Sequence, residues 1–291
     1  MGTPDYSARY LVGLIDACQK PIAVITQPDR PAGRQQTIKP TPTKRVALEH
    51  GIPVYQPEDI RDREWTQRIL ELAPELIIVV AFGQIIPQSI LDIPRYGCIN
   101  VHPSLLPRHR GATPWQETIM QGDTESGVTI MLMDQKMDHG PILAQEKIAL
   151  APDETMLSLE GKTASIGIPL LIQSIRRWTE NKCESREQDH TKATYTRLLK
   201  KESGKIDWSK NNAEIERMIR ALNPWPGTWT EWHGMRIKIL RAHLENNALV
   251  IDELQPEGKK PMSAEHFKNG YGNIAQKALP LASRFRSQAD D

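Results

Sequence analysis

The chemistry in this sequence centres on an asparagine and a histidine two residues apart, Asn100 and His102, in the apolar run 98–102. On a β-strand, residues two apart project from the same face. An amide N–H beside an imidazole can stabilise the oxyanion of a tetrahedral intermediate, and the imidazole can also carry a proton to a leaving nitrogen. The pair therefore indicates an acyl-type transfer, although an asparagine and a histidine at a strand end are more often structural.

A carboxylate on a second loop could complete this centre. Asp138 is followed by a histidine and a Gly-Pro pair, which is typical of a tight turn facing a cleft. Beside His102, it would keep the imidazole oriented and protonated and could order a water. As an ordinary turn carboxylate, it would instead cap backbone N–H groups. A metal site with His109 and His139 matches no compact ligand spacing, so we expect no metal.

The elements that must position these residues follow from the apolar pattern. Short apolar or β-branched runs at 22–26, 76–82, 98–102 and 128–133 predict strands. The predicted helices cover residues 6–19, 43–50, 63–72, 114–121 and 155–180. This alternation predicts an α/β domain with a mainly parallel sheet, and the carboxyl edge of such a sheet is where ligands bind.

After about residue 178 the composition changes. Residues 180–201 are polar and charged without sustained periodicity, which is typical of a linker. A helical pattern at 213–222 and alternating runs at 235–240 and 248–251 predict a small, half-exposed β domain. We expect the polar tail, residues 283–291, to be disordered.

Composition limits the class of protein. Lysine and arginine number 37 and aspartate and glutamate 36, which excludes a uniformly basic nucleic-acid binder but leaves room for local patches. The three cysteines are too few for a disulfide framework. The longest apolar run, 76–82, is far short of the roughly 20 residues that a membrane helix needs. We therefore expect a cytoplasmic protein with no membrane partner. A monomer is a separate expectation that the sequence itself does not establish.

Two stretches carry a family resemblance. GCINVHPSLLPRHRGATPWQ, at 97–116, and GVTIMLMDQKMDHGPIL, at 127–143, resemble the folate-dependent formyltransferase family. Further segments, TQPDRPAGR at 26–34, KIDW at 205–208 and NPWPG at 223–227, are similar to those of family members that formylate methionyl initiator tRNA. The resemblance extends over nearly the whole chain.

The resemblance implies a Rossmann-like formyltransferase domain at 1–181, a linker at 182–200 and an OB-like β-barrel domain that binds tRNA at 201–282. It implies 10-formyltetrahydrofolate as co-substrate, the α-amine of methionyl initiator tRNA as acceptor, and no metal. Asn100 and His102 would stabilise the oxyanion, and Asp138 would keep His102 oriented. The residues expected to contact folate are Ser104, Leu105, Leu106, Pro107, Phe82 and Gly83.

Two cationic segments are candidates for tRNA contact. Residues 30–45 hold five cationic and no acidic residues. The resemblance makes Arg34 a stronger candidate for tRNA contact than the other cationic residues of this segment, and Lys39 is a second candidate. Residues 192–210 hold six cationic residues against two acidic ones, which makes Lys200, Lys201 and Lys205 further candidates. A charge run by itself is usually a solvated surface. The tryptophans at 225, 229 and 232 could stack on bases, but tryptophans in such a setting more often pack in the core of a small domain.

The sequence departs from the family in two places. Members carry a short apolar strand before the Gly-Thr-Pro loop, whereas this chain begins at that loop, so we expect either an upstream start or a truncated first strand. Between residues 243 and 248 the chain is short by about two strands, so the barrel is expected to be incomplete. Two alternatives follow: a sister formyltransferase acting on a sugar-nucleotide or glycinamide ribonucleotide amine, or a truncated inactive remnant.

Overall fold

The structure is a computed structural model that describes residues 1–32 and 37–271. The chain forms two compact units. The first comprises residues 1–114, 125–149 and 160–196, and the second comprises 115–124, 150–159 and the chain from 197 onward. The sequence-based boundaries at 181, 200 and 282 remain predictions, and the expected disordered tail lies outside the described residues.

The elements up to the long sixth helix are α1 (Asp5–Asp16), β1 (Val24–Ile25), β2 (Arg30–Ala32), β3 (Thr37–Lys39), α2 (Pro42–Glu49), β4 (Val54–Tyr55), α3 (Arg63–Leu72), β5 (Ile77–Val79), α4 (Gln88–Leu91), β6 (Cys98–His102), α5 (Pro114–Gln121), β7 (Glu125–Leu132), β8 (Ile142–Ala149) and α6 (Met156–Thr179). They are followed by α7 (Asn212–Leu222), β9 (Thr228–Trp232), β10 (Met235–Glu245), β11 (Ala248–Pro256), β12 (Met262–Ser263) and α8 (Ala264–Tyr271). Short 3-10 turns cover His190–Lys192 and Lys201–Gly204.

The strands of the first unit form both parallel and antiparallel pairs, in a four-stranded sheet of order β5-β6-β7-β8 and in smaller two-stranded sheets. β1 pairs with β4 and β5 pairs with β6 in parallel, as the sequence predicts. β6 pairs with β7 and β7 with β8 in antiparallel fashion. The connection from β7 to β8 is too short for a parallel crossover, which needs a dozen or more residues. β8 was missed because three consecutive polar or charged residues, 145–147, interrupt its apolar pattern.

Met1 and Gly2 lie between β1 and β5. The Gly2 N–H donates to the Ile25 carbonyl at 3.0 Å, and the Val80 N–H donates to the Met1 carbonyl at 2.9 Å. A cavity of about 610 Å³ lies next to them. Its lining includes the apolar residues Ile22, Ala23, Val24, Leu76, Ile77 and Ile78. Asn100, His102 and Asp138 are not among its lining residues, so this cavity is separate from the predicted centre.

Local sequence accounts for the elements that flank the site. β6 is buried on both faces except at Asn100, which is half-buried, as expected of a central strand covered on both sides. α2 begins after Thr41, whose side chain accepts a hydrogen bond from the Lys44 N–H, and Pro42 occupies the first turn. In α6, a Cβ on Gly167 would lie 1.9 Å from the Tyr10 hydroxyl, so glycine allows α6 to approach α1.

The second unit contains a four-stranded antiparallel sheet in the order β12-β11-β10-β9. Helix α7 begins with a capping box, in which Asn211 accepts from the Glu214 N–H and Glu214 accepts from the Asn211 N–H. Its apolar face packs on the sheet in a core that includes Ile215, Ile219 and Trp232. Trp232 is thus a core anchor. Among the described residues no pairing joins β9 to β12, so the sheet is open over this range.

None of the helices within residues 1–32 and 37–271 combines the length and the apolar character that crossing a bilayer requires.

Candidate active site

Strand β6 carries Asn100 and His102 at its carboxyl end. Asn100 is paired with Val79 of β5 on one side and with Met131 of β7 on the other. His102 is paired with Thr129 and is buried, whereas Asn100 is half-buried. The neighbouring strands therefore fix the backbone of both residues, and their side chains point to the same face, as the two-residue spacing predicts.

Asp138 lies on the loop between β7 and β8, and its carboxylate faces both residues. Its Oδ1 is 3.3 Å from the Asn100 Nδ2, which donates to it, and 3.6 Å from the His102 Nδ1. Its Oδ2 accepts a hydrogen bond from the Gly111 N–H at 2.7 Å. The three side chains picked out from the sequence therefore meet, although their assigned roles remain predictions.

The His102 ring is fixed by a second contact. Its Nε2 lies 2.9 Å from the His109 carbonyl, in a buried position. Because a carbonyl can only accept, this nitrogen must carry a hydrogen. The Nδ1 atom is on the Asp138 side of the ring, 3.6 Å from the Asp138 Oδ1.

Thr129, a fully buried residue of β7, holds the loop after β6 in place through hydrogen bonds. The Thr129 hydroxyl donates to the Ser104 carbonyl at 2.6 Å and accepts from the Leu106 N–H at 3.2 Å and from the Gln145 Nε2 at 2.8 Å. The Ser104 hydroxyl donates to the Arg108 carbonyl at 2.7 Å. The Leu106–Pro107 peptide bond is cis. Four backbone and side-chain bonds thus set the course of this loop.

The residues expected to contact folate differ in exposure. Ser104, Leu106 and Phe82 have buried side chains, so these shape the loops from inside. Leu105 and Pro107 are half-buried, and Gly83 is exposed with φ +86°. Leu105 and Pro107 can therefore contact a ligand through their side chains, and Gly83 can do so through its backbone. Their assignment to folate stays a prediction.

The cationic candidates are exposed where the structure describes them. Lys39 ends β3, which pairs with β2 in an antiparallel ribbon. In the second unit, Lys200 and Lys201 are exposed, and the Lys205 ammonium lies 5.4 Å from the Trp229 ring centroid. Arg34 lies outside the described residues. tRNA contact by these five residues remains a prediction.

Two residues of the site were not found from the sequence. Arg110 and Gln188 are both buried, and the Gln188 Oε1 accepts from the Arg110 Nη2 at 2.7 Å. Arg110 falls within the family motif, but nothing in the sequence marks it as a buried residue. Gln188 lies in a polar stretch without periodicity, which was interpreted as linker.

The histidines considered as metal ligands have other partners. The His139 Nδ1 lies 2.6 Å from the Asp134 Oδ2, and the His139 ring stacks on His190 with centroids 3.9 Å apart. Over residues 1–32 and 37–271, no cluster of three or more histidine, cysteine, aspartate or glutamate side chains could hold a metal ion.

Known sequences resemble both units. The family described as "Formyl transferase" matches residues 2–175, and "Formyl transferase, C-terminal domain" matches 198–248. A methionyl-tRNA formyltransferase of Geotalea daltonii is 43% identical over 93% of this chain and 94% of its own length. The same-named protein of Idiomarina loihiensis is 40% identical over 96% and 98%, respectively.

Solved structures support the same fold. A sugar 3N-formyl transferase, WlaRD, solved with dTDP and 5-N-formyl-THF, aligns with a TM-score of 0.62 at 21% identity, covering 84% of this chain and 85% of that one. A methionyl-tRNA formyltransferase from Clostridium thermocellum aligns with a TM-score of 0.56 at 20% identity, covering 73% and 91%. Together with the family matches, these confirm the predicted fold class, a Rossmann-like domain followed by a second domain.

Proposed function

Because the chain belongs to the formyl transferase family, we propose that it transfers the formyl group of 10-formyltetrahydrofolate to the α-amine of methionyl initiator tRNA. The family resemblance predicted from the motifs is confirmed by the profile match over residues 2–175. Relatives that share 40–44% identity over 93–96% of this chain bear the name methionyl-tRNA formyltransferase. The observation that supports the chemistry is the approach of Asn100 and His102 to one Asp138 oxygen.

Each side chain has a chemical part in this proposal. Asn100 Nδ2 has two hydrogens, so it can hold Asp138 with one and donate the other to the oxygen of the formyl group as negative charge develops there. His102 can donate a hydrogen from Nδ1 to the same formyl oxygen, and Asp138 Oδ1 lies 3.6 Å from that nitrogen. The incoming amine forms a bond to the formyl carbon, the bond from that carbon to the folate nitrogen breaks, and the amine proton ends on the folate nitrogen. His102 and Asp138 are placed to carry that proton.

The loop after β6 fits a folate ligand in one respect. Leu105 and Pro107 leave apolar surface half-exposed on the loop that follows the strand of Asn100 and His102. A flat pterin ring needs such a surface next to a few hydrogen-bonding groups. The proposal therefore assigns the folate to the loops 82–83 and 104–107, and the tRNA to Arg34, Lys39, Lys200, Lys201 and Lys205. A cytoplasmic location and a monomeric state belong to the proposal, and light scattering of the purified chain tests the monomer.

The test is formylation of charged initiator tRNA by the purified protein with 10-formyltetrahydrofolate. Asn100→Ala and His102→Ala should each lower kcat about 10²–10³-fold, as the loss of one oxyanion donor does. His50→Ala is the matched control, because His50 is exposed in the same unit and its ring contacts the Val46 carbonyl of its own helix. An amino-sugar nucleotide offered in parallel gives the comparison substrate. A preference for the sugar amine, or near-intact activity in the first two variants, contradicts the proposal.

A further inference from the structure

The segment 186–196 of the first unit, here called the return segment, runs back along the loops of the site. At its start, Arg186 and Ile142 exchange backbone hydrogen bonds of 2.7 and 2.8 Å. At its end, the Arg110 N–H donates to the Thr194 carbonyl at 2.9 Å, and the Thr196 N–H donates to the Arg110 carbonyl at 2.7 Å. The return segment therefore joins the loop after β6 to the start of β8.

Gln188 is the buried residue of this segment, with 5% of its surface exposed. Its Nε2 donates to the Asp138 carbonyl at 2.9 Å and to the Gly140 carbonyl at 2.7 Å. Its Oε1 accepts from the Arg110 Nη2 at 2.7 Å. Since a guanidinium can only donate, the oxygen must face Arg110 and the NH₂ group must face the two carbonyls. The orientation of the amide is thereby determined by its partners.

Asp138 has its backbone in the left-handed region, with φ +48°. Aspartate and asparagine occupy this region more readily than other non-glycine residues, but at a cost that the surrounding contacts must offset. Gln188 binds the Asp138 carbonyl, and the Gly111 N–H binds the Asp138 carboxylate. Gly111 directly follows Arg110, whose side chain binds Gln188. The Arg110–Gln188 pair therefore restrains both the main chain and the carboxylate of Asp138.

We propose that Gln188 is a positioning residue, which together with Arg110 holds Asp138 against His102 and Asn100. The inference rests on the proposed function only in that Asp138 takes part in formyl transfer. Gln188 touches neither the formyl group nor the folate. Its effect on the reaction is exerted entirely through the position of Asp138.

Gln188→Glu is the sharpest variant. The substitution keeps the size of the side chain and the oxygen that Arg110 binds. It replaces the NH₂ group, which supplies both N–H donors, with an oxygen that faces the Asp138 and Gly140 carbonyls. We expect kcat to fall about 10- to 100-fold with KM for both substrates changed less than about threefold, because misplacing a catalytic group by about 1 Å has an effect of this size. Gln188→Ala should act in the same direction. Glu187→Ala, the exposed neighbour, should leave kcat unchanged.

A double-mutant cycle separates positioning from a general structural role. In an Asp138→Asn background, which keeps a residue type that tolerates positive φ, Gln188→Glu should change kcat less than about twofold. If the two substitutions instead lower kcat by independent factors that multiply, Gln188 does not act through Asp138 and the proposal is overturned. An inactive wild-type protein would contradict the proposed function rather than this inference.

A second readout needs no activity. Amide hydrogen exchange at Gly111 reports the bond to the Asp138 Oδ2. In Gln188→Glu and Gln188→Ala, exchange at Gly111 should accelerate at least about tenfold relative to wild type, since the carboxylate is released, while Glu187→Ala leaves it unchanged. Unchanged exchange in both Gln188 variants overturns the proposal, even if both variants melt at a lower temperature.

Discussion

The Asn100 amide and the His102 imidazole approach the same oxygen, the Oδ1 of Asp138, at 3.3 and 3.6 Å. The other carboxylate oxygen is held by the backbone of Gly111. One oxygen therefore faces the reactive side chains while the other is bound to the loop after β6. The arrangement depends on that loop, on the strand pairing of β6 and on the return segment, and each can be tested separately.

Gly111→Ala should impair both stability and activity. Gly111 has φ +116°, and an added Cβ would lie 2.5 Å from the Thr196 hydroxyl, so the loop must move and carry its N–H away from Asp138. We expect a loss of about 1–3 kcal/mol in the free energy of unfolding in urea, with a lower kcat.

Gly161→Ala is the matched control for that change. Gly161 lies in α6, and an added Cβ there would meet nothing within 4 Å. Alanine should therefore stabilise the protein by about 0.5–1 kcal/mol and leave kcat unaltered. Equal effects of the two substitutions would refute the role given to Gly111.

Thr129→Val should destabilise the loop after β6 with little change in shape. The substitution removes a hydroxyl that forms hydrogen bonds with Ser104, Leu106 and Gln145, and it leaves buried polar groups unpaired. We expect about 1–3 kcal/mol of lost stability and a raised KM for the folate co-substrate. Thr179→Val, at a half-buried hydroxyl that bonds only its own helix, should stay within about 0.5 kcal/mol of wild type. A Thr129→Val protein with unchanged KM would argue against a folate loop.

Cys98 should resist alkylation although Cys18 reacts. Burial raises the pKa of the Cys98 thiol to about 12, because the thiolate would lose its hydration inside the sheet. At pH 8 only about one thiol in 10⁴ is then ionised, and the thiolate is the reactive form. Cys18 is exposed. Mass spectrometry after iodoacetamide treatment should show label on Cys18 first and on Cys98 only after unfolding. Comparable labelling rates would show that the β5–β6 interior is accessible.

Lys200→Ala and Lys201→Ala should weaken tRNA binding in a salt-dependent way. If each contacts one phosphate, its removal lowers the slope of log affinity against log salt by about 0.7–0.9 and leaves kcat at saturating tRNA unchanged. Lys182→Ala is a suitable control, since Lys182 is exposed and paired with Glu180 at 2.8 Å. An unchanged salt slope in both variants would remove these two lysines from the proposed tRNA surface.

The sequence predicted the parts of the molecule that depend on local pattern. The apolar run at 98–102 is the strand β6 with the same limits, and the predicted helix at 155–180 is α6 within one residue of each end. Runs of apolar residues are local, so the sequence shows them directly. The predicted strand at 22–26 pairs over only Val24 and Ile25, because pairing depends on a partner that the sequence does not specify.

The contacts that hold the site together could not be predicted in this way. Gln188 meets Asp138 across 50 positions and Arg110 across 78, and neither contact leaves a periodic trace. A buried arginine bonded to an amide, a histidine and a tyrosine looks, in sequence, like any surface arginine. Asn100, His102 and Asp138 were found because two of them share a strand and a family motif surrounds all three.

The return segment also determines where the catalytic unit could be separated from the rest of the chain. A fragment ending at residue 181 would contain all three polar side chains and lack the amide that binds the Asp138 carbonyl. A fragment ending at Thr196 would retain it, together with the backbone bonds to Arg110. Loss of residues 182–196 would therefore remove the contact that holds the Asp138 carbonyl without removing any of the three polar side chains.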